Sequence, residues 1–252
     1  MAKVYFVGAG PGDPELITVK GARLLREADV VVYAGSLVNP ALLLNLRQDC
    51  LRCDSAKMTL AEVMAVMLPA ARAGKTVVRL HSGDPSIYGA IREQLSVLEE
   101  HGVAYEIVPG VSSFTAAAAS LGREYTLPGV SQTVILTRME GRTPVPAGQE
   151  IGVLAAHGAS MAIFLSVQLI EKVVDALLEG YAPDTPAAVV QRASWPQERI
   201  IRSTLADIAE RVRAENIDRT ALILVGDFLG DQFDLSRLYD GAFSHGFREA
   251  IE

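Results

Sequence analysis

The chain has 252 residues, half of them apolar, and a formal net charge of −7 from 23 basic and 30 acidic side chains. That balance disfavours a nucleic-acid binder, which carries a basic excess or stripe, but it leaves room for a few placed arginines to hold an acidic small molecule. No apolar run reaches the ~18 residues of a membrane span and no basic leader precedes the first strand, so a soluble cytoplasmic protein with a real core is expected.

In chain order, residues 3–7 read as a strand leaving through Gly8-Ala9-Gly10-Pro11-Gly12-Asp13-Pro14. Residues 18–27 form a helix, with Val19, Ala22, Leu25 and Ala28 on one face. The strand 29–33 ends in Ala34-Gly35-Ser36, and Asn39-Pro40 starts a short helix running through Leu46. Cys50 and Cys53, the only cysteines, fall on a short strand that points them to opposite faces. With no third cysteine and the histidines scattered, they read as two reduced thiols, and no metal is expected. Thr59 and Glu62 match a capping box for a helix to about Ala73, with Pro69 as a kink or break. The strand 76–80 then runs into His81-Ser82-Gly83-Asp84-Pro85-Ser86-Ile87-Tyr88-Gly89. Here Asp84 and Pro85 fit the N-cap and first residue of the following helix. A further strand, 105–108, leaves through Pro109-Gly110-Val111-Ser112-Ser113 into the small apolar helix 114–120.

Strands alternate with helices throughout this half, which predicts a mostly parallel sheet covered on both faces. Residues 121–130, with Gly122, Pro128 and Gly129, read as a linker, giving domains of 1–120 and 121–252. The second half carries strands at 132–137, 162–165, 187–191, 199–203 and 221–225, with a helix at 169–178. Another helix, capped through Thr204-Leu205-Ala206-Asp207, runs to about Ala214. Hairpin-like connections predict a mixed sheet. The fold class is therefore α/β, as two α/β domains, with an irregular tail after Phe228 that is expected to reach a subunit interface.

Two glycine-rich strand exits in one sheet point to a binding crevice. A dinucleotide site fails on detail: Asp13 stands where the third glycine belongs, and no acid ends the second strand. A Walker loop fails for want of Gly-Lys-Ser/Thr. A ligand without phosphates and bearing a positive sulfonium suits these acid-bearing loops better.

The residues Val7 to Pro14, Leu16-Ile17-Thr18, Ala28 to Tyr33, Ser82-Gly83-Asp84-Pro85, Tyr88-Gly89 and Val108 to Ser113 together resemble the tetrapyrrole methylase family. Tyr33 to Val38 and Ser131 to Arg138 resemble its branch acting on precorrin-4 at C-11. The uroporphyrinogen-III branch usually has Asp-Arg after that tyrosine. The resemblance implies two α/β domains with S-adenosyl-L-methionine folded in the cleft between them, S-adenosyl-L-homocysteine as product, and a homodimer. It carries cofactor contacts onto Pro11, Ser82, Gly83, Asp84, Ile87, Ser112, Ser113, Leu165, Ala193 and Thr220. The acidic arms of a tetrapyrrole call for cations, and the candidates are Lys57, Arg79, Arg123, Arg138 and Arg192. Placement of a carbon in line with the methyl–sulfur bond is the main catalytic need, and no catalytic residue is assigned. The alternatives are a uroporphyrinogen-III or precorrin-2 methyltransferase, a diphthine synthase-like enzyme, and a non-catalytic metabolite binder.

Overall fold

In the computed structural model, which describes residues 3–250, the apolar strands of the first half all form and all run parallel. They are β1 (Lys3–Gly8), β2 (Val30–Tyr33), β3 (Leu51–Asp54), β4 (Val77–His81) and β5 (Ala104–Val108), in the order β3-β2-β4-β1-β5. Central β4 is buried at every residue, Arg79 and His81 included, as expected of a strand covered on both faces. One face meets α1 (Val19–Glu27), where Leu24 and Leu25 pack with Val31, Val78 and Leu80. The other meets α2 (Leu60–Arg72) and α3 (Ile91–Glu100), whose Val63, Met67, Leu95 and Leu98 pack on Val4, Phe6, Val30 and Val32. Each fully buried large side chain contributes about 1.5–3 kcal/mol.

The capping box forms as the sequence predicts, Thr59 and Glu62 exchanging both bonds. Pro69 does not break α2, which continues to Arg72. The proline lies in the last turns, and the burial of Met64, Met67 and Ala71 around it holds the helix. Asp84 is not the N-cap of α3. That helix starts at Ile91 behind a left-handed Ala90 (φ 48°), and Pro85 lies outside it. The Asp84 carboxylate is taken instead by the turn at Ser86 and by Gly110.

The second sheet comprises β6 (Val134–Arg138), β7 (Ser160–Phe164), β8 (Pro186–Gln191), β9 (Arg199–Thr204) and β10 (Ala221–Val225), in the order β6-β7-β10-β8-β9. Only β6 and β7 pair in parallel, so the sheet is mixed. Between these elements run α4 (Ser113–Leu121), α5 (Ile151–Ala155), α6 (Ile170–Leu177) and α7 (Ile208–Ala214). Ile163, Val173, Leu177, Leu205, Ile208 and Ile223 centre this core. The sequence reading passed over α5, a helix of five residues too short to show a period. It also started α7 too early: Thr204 remains in β9, and Asp207 makes no side-chain capping bond.

The chain divides into two compact units, Met1–Ala117 with Arg192–Glu198, and Ala118–Gln191 with Arg199–Glu252. The short segment between β8 and β9 therefore belongs with the first unit. After Leu229 the described tail holds one 3-10 turn, Arg237–Tyr239, and exposes Leu235, Tyr239 and Phe247. No helix among the described residues is long and apolar enough to cross a membrane.

Candidate cofactor site

The three glycine loops leave β1, β4 and β5, which are neighbours in the sheet, and their backbones interlock. Ala9 N–H donates to the His81 carbonyl at 2.7 Å, and Gly10 and Gly83 exchange backbone bonds at 3.3 and 2.8 Å. A Cβ on Gly8 would stand 2.5 Å from Gly110 Cα and 2.6 Å from the Gly83 carbonyl. Only glycine permits this approach, and Gly10 and Gly83 also sit at φ +80° and +62°.

Asp84 ties the second loop to the third. Its Oδ2 accepts from the Gly110 N–H at 2.8 Å, and its Oδ1 accepts from the Ser86 N–H at 2.8 Å and from the Ser86 hydroxyl. Burial works against the charge, but these hydrogen bonds outweigh it and hold the carboxyl below its ordinary range. The first loop is clamped from other directions. Trp195 Nε1 donates to the Pro11 carbonyl at 2.9 Å, Asn39 Nδ2 to the Gly12 carbonyl at 2.8 Å, and the Asp13 N–H to Ser194 Oγ at 3.0 Å. A side chain on Gly12 would overlap the Trp195 ring.

Pro11, Ser82, Gly83, Asp84, Ile87, Ser112 and Ser113 are thus brought to one edge of the first sheet, and Ala193 lies buried in the segment that clamps Pro11. Leu165 and Thr220 lie in the second unit, just past β7 and just before β10, on one edge of that sheet. Both have left-handed backbones (φ 55° and 53°), and Leu165 is 73% exposed. Such strain costs of order 1–3 kcal/mol per residue and clusters at functional sites. Tyr88, Arg192 and Ser194 share it.

The five basic candidates divide. Arg79 is buried, giving hydrogen bonds to Gln94 Oε1 and the Val32 carbonyl, and burial lowers its pKa. Arg123 pairs with Asp231 at 2.8 Å. Arg138 gathers the carbonyls of Met139, Thr143 and Pro144. Lys57 and Arg192 are exposed, Arg192 lying over the Trp195 ring at 5.8 Å. Next to Arg79 on the same strand face, His81 is buried, and its Nε2 has no partner among the described residues. Burial first, and the Arg79 charge second, push its pKa down to about 3.

The thiols of Cys50 and Cys53 are unpaired, and burial pushes both up, the opposite of a reactive cysteine. No cluster of metal-ligating side chains occurs among the described residues. Asn39, Ser194 and Trp195 escaped the sequence reading, since their bonds to the loop span 27 to 184 residues. The one signal they left is that the chain has a single tryptophan, beside a proline and a short strand.

Loops 8–14, 82–89 and 109–113 contain no lysine or arginine and carry Asp13 and Asp84. Three interlocked glycine loops at one edge of a parallel sheet define an α/β protein of the kind that takes its ligand at the carboxyl ends of the strands, and the carboxylates of Asp13 and Asp84 suit a positively charged ligand. The family model for Tetrapyrrole (Corrin/Porphyrin) Methylases matches residues 3–209, and the chain belongs to that family. It is 55% identical over 250 residues to the cobalt-precorrin-4 C(11)-methyltransferase of Methanocaldococcus jannaschii, covering 98% of this chain and 96% of that protein. It is 51% identical to the precorrin-4 C(11)-methyltransferase of Pseudomonas aeruginosa, covering 97% and 98%. The X-ray structure of a cobalamin biosynthetic enzyme, cobalt precorrin-4 methyltransferase, matches with a TM-score of 0.89 at 48% identity, over 91% of this chain and 96% of that one. A uroporphyrin-III C-methyl transferase from Thermus thermophilus, complexed with S-adenyl homocysteine, matches with a TM-score of 0.71 at 31% identity, over 91% and 94%.

Proposed function

We infer that this protein is a methyltransferase of corrin synthesis that methylates precorrin-4, or its cobalt form, at C-11. The observation that carries this reading is identity of 55% and 51% over nearly the whole chain to enzymes of that name. The edge of three interlocked loops, free of cationic side chains, supports S-adenosyl-L-methionine as the donor. When bound, that cofactor supplies a methyl group on positively charged sulfur, already activated towards a carbon nucleophile.

The chain's part is placement. The Gly8, Gly83 and Gly110 backbones make a rigid floor without side chains, and Asp84 holds two of its loops in register. Placement of this kind can supply about 7–11 kcal/mol of a barrier. Pro11, Ser82, Gly83, Asp84, Ile87, Ser112, Ser113 and Ala193 are proposed as cofactor contacts of the first unit, with Leu165 and Thr220 as those of the second. The domains are proposed as 1–120 and 121–252, with the segment 192–198 serving the first. Lys57 and Arg192 are the exposed cations offered to the acidic arms of the substrate. A cytoplasmic homodimer is the proposed state, by family resemblance.

Two measurements test the reading. Calorimetric titration with S-adenosylhomocysteine should give one site per chain, and no heat at millimolar ligand would remove the cofactor. Incubation with precorrin-4 and methyl-labelled cofactor should add one methyl that carbon NMR assigns to C-11. Methylation of uroporphyrinogen III at comparable speed would move the protein to the other branch.

A further inference from the structure

The glycine loops occupy the exits of β1, β4 and β5, which leaves the exits of β2 and β3 as the rest of that sheet edge. Open parallel sheets bind ligands along this edge, so these exits are the place in the first unit for a second reactant. One charged group there is fixed by two backbone N–H groups. Asp54 ends β3, in register with Tyr33, the last residue of β2. Its Oδ1 accepts from the N–H groups of Gly35 and Ala56, each at 2.9 Å. Ser55 Oγ donates to the Tyr33 carbonyl at 3.1 Å, stitching the two exits together. A Cβ on Gly35 would overlap the Asp54 carboxylate, so the glycine clears the space the acid occupies. The carboxylate is exposed, its Oδ2 accepts no hydrogen bond among the described residues, and no lysine or arginine there lies within ion-pair distance, although the charge of Lys57 acts on it from farther off. The Ala56 and Gly35 N–H groups hold the carboxyl below its ordinary range, so it is ionised at neutral pH.

We propose that Asp54 is a catalytic residue whose fixed carboxylate stabilises the positive charge that the macrocycle gains as it takes the methyl group. The inference rests on the methyltransferase reading above. In that step the ring carbon's π electrons form the new carbon–methyl bond while the carbon–sulfur bond breaks, its pair leaving on sulfur as a thioether. The charge passes from sulfur to the conjugated ring nitrogens and is discharged when a ring N–H proton goes to water. A preorganised group of opposite charge, needing no reorganisation, lowers the barrier to such a transfer. The same turn ends in exposed Lys57, whose charge also acts on Asp54.

Asp54→Asn separates charge from shape, because the amide oxygen still accepts from Gly35 and Ala56. The expected result is kcat lowered about 100-fold or more, with calorimetric affinity for S-adenosylhomocysteine, the KM for precorrin-4 and the melting temperature close to wild type. Asp54→Ala should be as slow and less stable, and Asp54→Glu should recover part of the rate. Wild-type kcat in Asp54→Asn with loss only in Asp54→Ala overturns the proposal, leaving Asp54 as a turn cap. A wild-type chain that moves no methyl to precorrin-4 overturns the functional reading and takes this inference with it.

Discussion

The Asp84 carboxylate accepts the backbone N–H of Gly110 from 2.8 Å away, joining two loops that leave different strands. Those strands, β4 and β5, are not adjacent, since β1 lies between them. The bond therefore bridges over the exit of β1 and sets the floor beneath it.

Asp84→Ala should lower stability by about 1–2 kcal/mol, since the Gly110 and Ser86 N–H groups lose a charged acceptor. Affinity for S-adenosylhomocysteine should fall with it. Asp84→Asn keeps an acceptor and should retain most of both. Thermal unfolding and calorimetry check this, and an Asp84→Ala protein with wild-type affinity would reduce the bond to a local turn.

Gly8→Ala and Gly74→Ala make a matched pair. At Gly8 a Cβ meets the backbone of Gly110 and Gly83, whereas at Gly74 (φ +82°) it meets nothing within 4 Å. The first should cost about 3 kcal/mol or more through overpacking and abolish cofactor binding. The second should cost about 1 kcal/mol through left-handed strain and leave binding intact. Equal losses in urea unfolding would contradict the close packing of the loops.

Stability should depend on pH through His81. Its folded pKa lies near 3, below the ordinary 6.5. Between those values the unfolded chain takes a proton that the folded chain refuses. Stability is therefore full above pH 6.5 and declines as the pH falls towards 3, by at most about 1.4 kcal/mol per pH unit. Melting temperatures measured from pH 7.5 to 4 should show this limb, and His81→Gln should flatten it. An unchanged slope in the variant would assign the limb to other groups.

Trp195, the only tryptophan, holds the Pro11 carbonyl. Its emission should change when S-adenosylhomocysteine binds. Trp195→Phe keeps most of the packing and loses the N–H, so the KM for the cofactor should rise about 2- to 10-fold with kcat at saturation little altered. Silent fluorescence across a titration that calorimetry sees would detach Trp195 from the site.

Much of the fold was legible in the chain itself, because the signals are local. β4 reads as a strand from Thr76-Val77-Val78-Arg79-Leu80 alone, since β-branched residues crowd its start. The Thr59–Glu62 box announced α2 because its two bonds close within four residues. The glycine loops were legible too, and Asp13 in place of a third glycine steered the reading away from a dinucleotide. What the sequence left undecided is where side chains find partners far along the chain. Asp84 next to Pro85 has the local pattern of a helix cap, yet Gly110, 26 residues on, competes for the same oxygens. Arg79 and Arg123 look like surface cations until the tertiary structure buries one and pairs the other with Asp231. Ala34-Gly35-Ser36 offers no acid, and only the pairing of β2 with β3 brings Asp54 beside Gly35. A local pattern is decided by chain geometry within a few residues. The fate of a polar side chain is decided by which distant backbone N–H or carbonyl the packing leaves unsatisfied, and that is a property of the folded whole.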